Sequence, residues 1–171
     1  MKNFFKKMAI VFIAVTMSVA ANAQFKQGDF AIGANGLLGF GDSFTNYGIG
    51  AKATYNLTDP IRLAGAFDYF LKKNELGMWG AMVFGHYLFS VAETIAIYPA
   101  AGLGIVGSSV SSVDFGEWGS YGGGSTSDFA FSLGAGIDIA LSESLVLNAE
   151  FKTWLKNGTR MIISLGLAYK F

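Results

Sequence analysis

The sequence predicts an all-β protein, an eight-stranded antiparallel up-and-down transmembrane β-barrel. Three observations predict it. From Gln27 onward apolar residues recur with a period of two, not 3.6. The chain is 52% hydrophobic and only 14% charged, where soluble domains carry roughly 25% charged residues. After the N-terminal segment no window holds the 18 or more uninterrupted apolar residues of a membrane helix. The other structure a bilayer permits is a closed barrel.

The 171 residues suit one domain. Without cysteine there is no disulfide scaffold, no thiolate metal site, no cysteine nucleophile and no acylated lipoprotein anchor. The 12 basic and 12 acidic residues cancel, so nucleic acid is not an expected partner. No cofactor and no metal are expected.

Residues 1–23 read as a cleavable export signal. Lys2, Lys6 and Lys7 make a basic start, Met8 to Ala21 is an apolar run too short to span a bilayer, and Ala21-Asn22-Ala23 is a small–x–small cleavage site. Gln24 is then the first mature residue, and residues 24–171 form the barrel.

The elements follow in order. Asp29–Phe40 is a first, irregular strand, and Gly41–Asn46 a loop. Tyr47, Ile49, Ala51, Ala53, Tyr55 and Leu57 oppose Gly48, Gly50, Lys52, Thr54 and Asn56 along a second strand. Thr58-Asp59-Pro60 is a tight turn. Ile61, Leu63, Gly65, Phe67, Tyr69 and Leu71 then oppose Arg62, Ala64, Ala66, Asp68 and Phe70. Lys72–Leu76 is a loop, Gly77–Phe89 a fourth strand and Ser90–Glu93 a turn. Thr94–Gly107 is a fifth strand, interrupted by Pro99, which cannot donate to a ladder and predicts a bulge or kink. After the long connection Ser108–Ser127, Asp128–Leu141 alternates cleanly. Ser142–Ser144 turns into Leu145–Leu155, and Lys156–Thr159 leads into Arg160–Phe171. Short turns at one rim and mostly longer loops at the other is the asymmetry of membrane barrels, with the short turns periplasmic.

Alternation alone does not say which face looks outward. A secreted lipocalin-like barrel would enclose its apolar face around an apolar ligand. The apolar face is almost free of charge, unlike a wet surface. Its aromatics, among them Tyr47, Tyr69, Trp79, Tyr87, Phe129 and Tyr169, gather near strand ends like two interfacial girdles. The opposite face, rich in glycine and alanine, suits a narrow lumen. The apolar face is therefore expected to meet lipid.

With these features the chain resembles the small outer-membrane barrels of the OmpA/OmpX type, of the outer-membrane β-barrel domain or porin family. The resemblance spans Gln24 to Phe171. It implies a Gram-negative outer membrane as location, the lipid bilayer as environment and the barrel-assembly machinery as partner. It also implies that Leu167, Tyr169 and Phe171 carry the assembly signal of the last strand. Nothing follows Phe171, so the peptidoglycan-binding domain of longer members is not expected.

The inward face carries Lys52, Arg62, Lys152, Arg160 and Lys170 against Asp68, Asp128, Asp138 and Glu150. Eight strands leave a bore just wide enough for side chains, so these charges are expected to pair into a plug. Three-residue turns would place Lys52 diagonal to Asp68, Asp138 opposite Asn148, and Trp154 opposite Arg160 as a cation–π pair.

Other candidates are weaker. His86, the sole histidine, has Ser90 near it and no acid in sequence, which reads as a lumenal filler and not a catalytic group. Gly102-Leu103-Gly104-Ile105-Val106-Gly107 spells a dinucleotide fingerprint inside a strand, where it opens no helix. The long loop carries Asp114, Phe115, Glu117, Trp118 and Tyr121, a surface suited to an extracellular ligand. The expected function is a non-enzymatic outer-membrane barrel of structural or surface-interaction role, with at most a narrow, salt-bridge-plugged solute path.

Overall fold

In the computed structural model, the described residues are 25–41, 45–73, 76–110, 113–114, 120–121, 124–156 and 158–171. The expected signal, residues 1–23, lies outside them. The strands are β1 (Phe30–Phe40), β2 (Thr45–Asn56), β3 (Ile61–Lys73), β4 (Leu76–Tyr87), β5 (Phe89–Ala92), β6 (Ile95–Val110), β7 (Val113–Asp114), β8 (Ser120–Tyr121), β9 (Gly124–Ala140), β10 (Leu145–Lys156) and β11 (Gly158–Lys170). β5 continues β4 beyond a break at Leu88, and β7 pairs only with β8. The wall is therefore eight strands: β1, β2, β3, β4 with β5, β6, β9, β10 and β11. All neighbours are antiparallel, and β11 returns to β1 with Ile32 opposite Tyr169.

Closure leaves no free edge within the wall, as a bilayer demands. A circuit of cross-strand partners measures its stagger. Phe30 pairs with Tyr55, Tyr55 with Leu63, Leu63 with Gly85 and Gly85 with Ala101. Ala101 pairs with Leu133, Leu133 with Thr153, Thr153 with Met161, and Met161 with Phe40. The circuit leaves β1 at Phe30 and returns ten residues further on, at Phe40. Eight strands with that shear tilt by about 40° from the barrel axis.

The period-two pattern sets the faces. Ile49, Phe131 and Leu165 are more than half exposed on the outside, whereas Phe70, Ala96 and Ile162 are fully buried within. Lys52, Arg62, Asp68, Asp138, Glu150 and Lys152 also point inward and are buried. An apolar exterior around a charged interior excludes the lipocalin-like arrangement.

Besides shifts of one to three residues at strand ends, the structure departs from the sequence reading in three places. Pro99 causes no bulge in its own strand: β6 and β9 stay in register from Ile95–Ile139 to Val110–Gly124. The break falls on the neighbour instead. The β4 ladder ends at His86–Ala100 and resumes in β5 at Phe89–Ile97, because the proline offers no N–H. On the other side of β4 the β3 register carries on, with the Leu88 N–H donating to the Pro60 carbonyl at 2.7 Å. The turn expected at Ser90–Glu93 accordingly sits at Glu93–Thr94. Finally, β6 and β9 extend the long-loop rim by pairing Ser108–Val110 with Gly124–Thr126, so the connection expected over Ser108–Ser127 is partly a two-stranded ribbon.

The opposite rim gathers the tight turns. Thr58 and Ile61 bond reciprocally, with Thr58 Oγ1 also accepting the Ile61 N–H at 3.1 Å. Ser142 Oγ accepts from Leu145 at 3.1 Å. Hydroxyl acceptors of this kind fix short polar turns. Residues 25–29 fold over the same rim. Gly28, at φ +90°, donates to the Asn56 carbonyl at 2.9 Å, and Asn56 donates back to the Asp29 carbonyl. Phe25 is thereby buried in the mouth.

Candidate functional site in the barrel lumen

Because alternate residues of every strand point inward, polar side chains far apart in sequence meet on the axis. Lys52 of β2 donates to Glu150 of β10 at 3.0 Å and to Asn148 Oδ1 at 2.6 Å. Lys152 lies 2.7 Å from Asp68 of β3 and 3.8 Å from Glu150. Arg62 of β3 pairs with Asp138 of β9 at 2.5 Å. Asn148 joins the two halves: its amide donates to Asp138 at 2.6 Å and to the Tyr98 hydroxyl at 2.7 Å. The Tyr98 hydroxyl in turn donates to Glu150 at 2.9 Å. Buried ions are stable only when paired and hydrogen-bonded, and this chain from Asp68 to Arg62 meets that condition.

The structure divides the nine charges expected in the lumen. Lys52, Arg62, Asp68, Asp138, Glu150 and Lys152 form the network. Arg160 is buried but stands apart from it. Asp128 is not lumenal: its carboxylate is 46% exposed and pairs at 2.7 Å with Lys156 at the long-loop rim. The alternation that sends position 128 inward matters little there, because β9 rises above the closed wall. Lys170 sits near the opposite mouth, 3.4 Å from Asp29.

The partners also differ from the hairpin reading. Lys52 is diagonal to Asp68, as expected from Gly50 opposite Asp68 in the register. Its ammonium nevertheless crosses the lumen to Glu150. Asp138 does face Asn148, and Trp154 does face Arg160. The Arg160 guanidinium, however, stacks on Phe70 at 4.5 Å and not on Trp154, whose ring meets Phe70 edge-on at 5.6 Å. Trp154 points instead towards Gly80, where a Cβ would collide with the indole. Gly136 makes the same room for Tyr98 and Gly102 for Phe84. The lumenal glycines are thus the sockets of the lumenal aromatics.

Tyr98 is the participant that sequence reasoning missed. Its neighbours Ile97 and Pro99 both face outward, so the period-two pattern held the signal. His86 is buried against it. Nδ1 accepts from Arg62 Nε at 3.1 Å and the ring stacks on Tyr98 at 4.5 Å. That surrounding gives the imidazole packing and one hydrogen bond, with no nucleophile beside it among the described residues. Below the network a cavity of about 30 Å³ is lined by Phe25, Lys52, Arg62, Asp138, Asn148 and Lys170, the size of one or two waters.

Of the long-loop residues, Asp114 and Tyr121 fall in the hairpin of β7 and β8, with Val113 opposite Tyr121 and Asp114 opposite Ser120. Phe115, Glu117 and Trp118 lie outside the described residues. At the other end of the chain, Leu167, Tyr169 and Phe171 all face outward. The Phe171 N–H donates to the Phe30 carbonyl at 2.9 Å, and its ring meets Tyr169 at 5.0 Å and Phe30 at 5.8 Å.

A closed barrel with an apolar exterior is what an outer-membrane protein requires, and the comparisons point the same way. The family model described as the outer membrane protein beta-barrel domain matches residues 8–171. The chain belongs to this family. As an outer membrane β-barrel protein it resides in the bacterial outer membrane, with lipid against its apolar face. Among solved structures it is similar to Ail, the attachment invasion locus protein of Yersinia pestis, at 18% identity and a TM-score of 0.60, covering 85% of this chain and 99% of that one. It is similar to the N-terminal β-barrel domain of Pseudomonas aeruginosa OprF at 19% identity and a TM-score of 0.57, covering 85% and 98%. Neisserial surface protein A shares 15% identity with a TM-score of 0.61 over 84% and 96%. At these identities the likeness is one of fold. No curated protein matches the sequence.

Proposed function

We propose that this outer membrane β-barrel protein is a non-enzymatic wall and surface element whose lumen is closed to solutes by its own ion network. The observation that carries the reading is the unbroken chain Asp68–Lys152–Glu150–Lys52–Asn148–Asp138–Arg62, which crosses the bore from wall to wall. An eight-stranded barrel has no width to spare for an aqueous channel beside such a filling. Residues 1–23 would be removed on export, leaving Gln24 as the first residue. The barrel-assembly machinery would read Leu167, Tyr169 and Phe171. The long-loop rim, outside the cell by the asymmetry of such barrels, would carry any extracellular partner, with the 108–127 segment as its reach. Ail's name ties that similar barrel to attachment and invasion, which supports a surface role.

Two measurements test the reading. Protein from an outer-membrane fraction should migrate differently on cold and boiled SDS gels, because a closed hydrogen-bonded wall survives cold detergent. In planar bilayers the refolded protein should show no steady unitary conductance. Regular current steps abolished by boiling would overturn the closed lumen.

A further inference from the structure

We propose that the long-loop half of the lumen is a binding site for a small oxyanion, centred on the Arg160 guanidinium. The charge balance is the first observation. Four cations, Lys52, Arg62, Lys152 and Arg160, are buried with three carboxylates, Asp68, Asp138 and Glu150. All three carboxylates are engaged by the other cations. Among the described residues Arg160 has no acidic partner. A buried cation without counter-charge is costly, and a hydrophobic residue would fill the space.

The donors are the second. Arg160 Nε and Nη2 are buried and have no acceptor among the described residues, and the same holds for Asn46 Nδ2 and Trp154 Nε1. Arg160, Asn46 and Trp154 are 7%, 1% and 2% exposed, so bulk water does not reach these groups. They lie together. The guanidinium hangs over Gly39, where a Cβ would strike Nη2, and Gly39 is the cross-strand partner of Asn46. Trp154 is the cross-strand partner of Arg160 itself.

The geometry explains why the fork is set for an anion. Phe70 takes the face of the guanidinium at 4.5 Å, which leaves its in-plane edge of N–H groups uncommitted. That edge matches the two oxygens of a carboxylate or phosphate. Nη1 lies beside Gly41 at the rim, 3.4 Å from where a Cβ would stand, so the approach is from the long-loop side. The unpartnered Asn46 Oδ1 would accept the hydrogen of a monoprotonated phosphate. The ligand is a solute, because the site faces the bore and the wall separates it from lipid headgroups.

The probe is inorganic phosphate, titrated against chloride at constant ionic strength into the refolded, ¹⁵N-labelled barrel in a lipid-free, zwitterionic detergent. The reporters are the Arg160 Nε–H signal and the indole N–H of Trp154, one of three tryptophans. Both should move along a saturating curve in the millimolar range while the outward-facing Trp79 stays still. Arg160→Gln should weaken that saturation at least tenfold in a barrel that keeps its cold-gel migration, and Arg160→Lys should fall between. Acetate in place of phosphate shows whether the planar or the tetrahedral anion fits better, and saturation by either supports the site. A shift that stays linear, an equal shift of Trp79, or unchanged saturation in Arg160→Gln would each overturn it. The wild-type titration decides by itself if the variants do not fold.

Discussion

The ammonium of Lys52 on β2 reaches the Glu150 carboxylate on β10 at 3.0 Å, although β1 and β11 stand between those strands in the wall. The contact is across the lumen. It ties together strands that share no ladder, and so adds a constraint the backbone hydrogen bonds do not supply. Glu150 also faces Lys152 and receives the Tyr98 hydroxyl, which makes it the carboxylate on which three lumenal donors converge.

Removing that carboxylate should therefore be the costliest single change in the network. Glu150→Ala leaves Lys52 without its paired carboxylate and Tyr98 without its acceptor, and breaking a buried pair in this way costs about 3–5 kcal/mol. The urea midpoint of unfolding in lipid vesicles reads the loss. A change under about 1 kcal/mol would mean that Asn148 and water carry the load.

Asp68→Asn separates a plug from a gate. Lys152 keeps Glu150 at 3.8 Å as its remaining counter-charge, so the bore should stay filled and the bilayer current flat. Stepwise conductance in this variant alone would show that exchange of salt-bridge partners opens the lumen.

The glycine sockets should resist enlargement. Gly136→Val places two methyls and a Cβ against the Tyr98 ring, and overpacking of this kind costs about 1–3 kcal/mol. The same substitution at Gly65, where a Cβ meets nothing within 4 Å, should be nearly neutral. Comparing the gel transition temperatures of the two variants checks the difference.

On the outer face the solvent is hydrocarbon. Leu165, in the middle of β11 and 59% exposed, should tolerate Val or Phe, whereas Leu165→Arg should cost about 2–4 kcal/mol. Equal stability of Leu165→Arg in vesicles would place that residue away from the bilayer core.

Deleting Phe171 should separate assembly from folding. The residue contributes one backbone hydrogen bond to Phe30 and ring contacts with Phe30 and Tyr169, so refolding in detergent should be close to that of the full chain. Accumulation in the outer membrane should fall severalfold if the assembly machinery reads the terminal aromatic. Equal accumulation would remove Phe171 from that signal.

Much of this architecture is legible without coordinates. The clean alternation from Arg160 to Phe171 sets the faces of β11, and the short turns at Thr58–Pro60 and Ser142–Ser144 set two registers. Pro99 shows where local reasoning stops. A missing N–H is visible in the sequence, but whether the strand itself or its neighbour gives way depends on which partner had needed that donor. Asp128 shows the same limit from another side, since its parity says inward while its height above the wall leaves it in solvent.

What the sequence determined by itself is whatever depends on adjacent residues: the period of two, the nearly charge-free lipid face, the strand count and all but one of the inward ions. Which ions meet was decided only by the tertiary structure. Pairing in the lumen depends on shear and tilt, which accumulate over all eight strands and return the circuit from Phe30 to Phe40. A ten-residue stagger brings Lys52 level with Glu150, leaves Asp68 to Lys152, and sets Arg160 beside Phe70 with no carboxylate of the network in reach. No single hairpin contains that information, because it exists only once the barrel has closed.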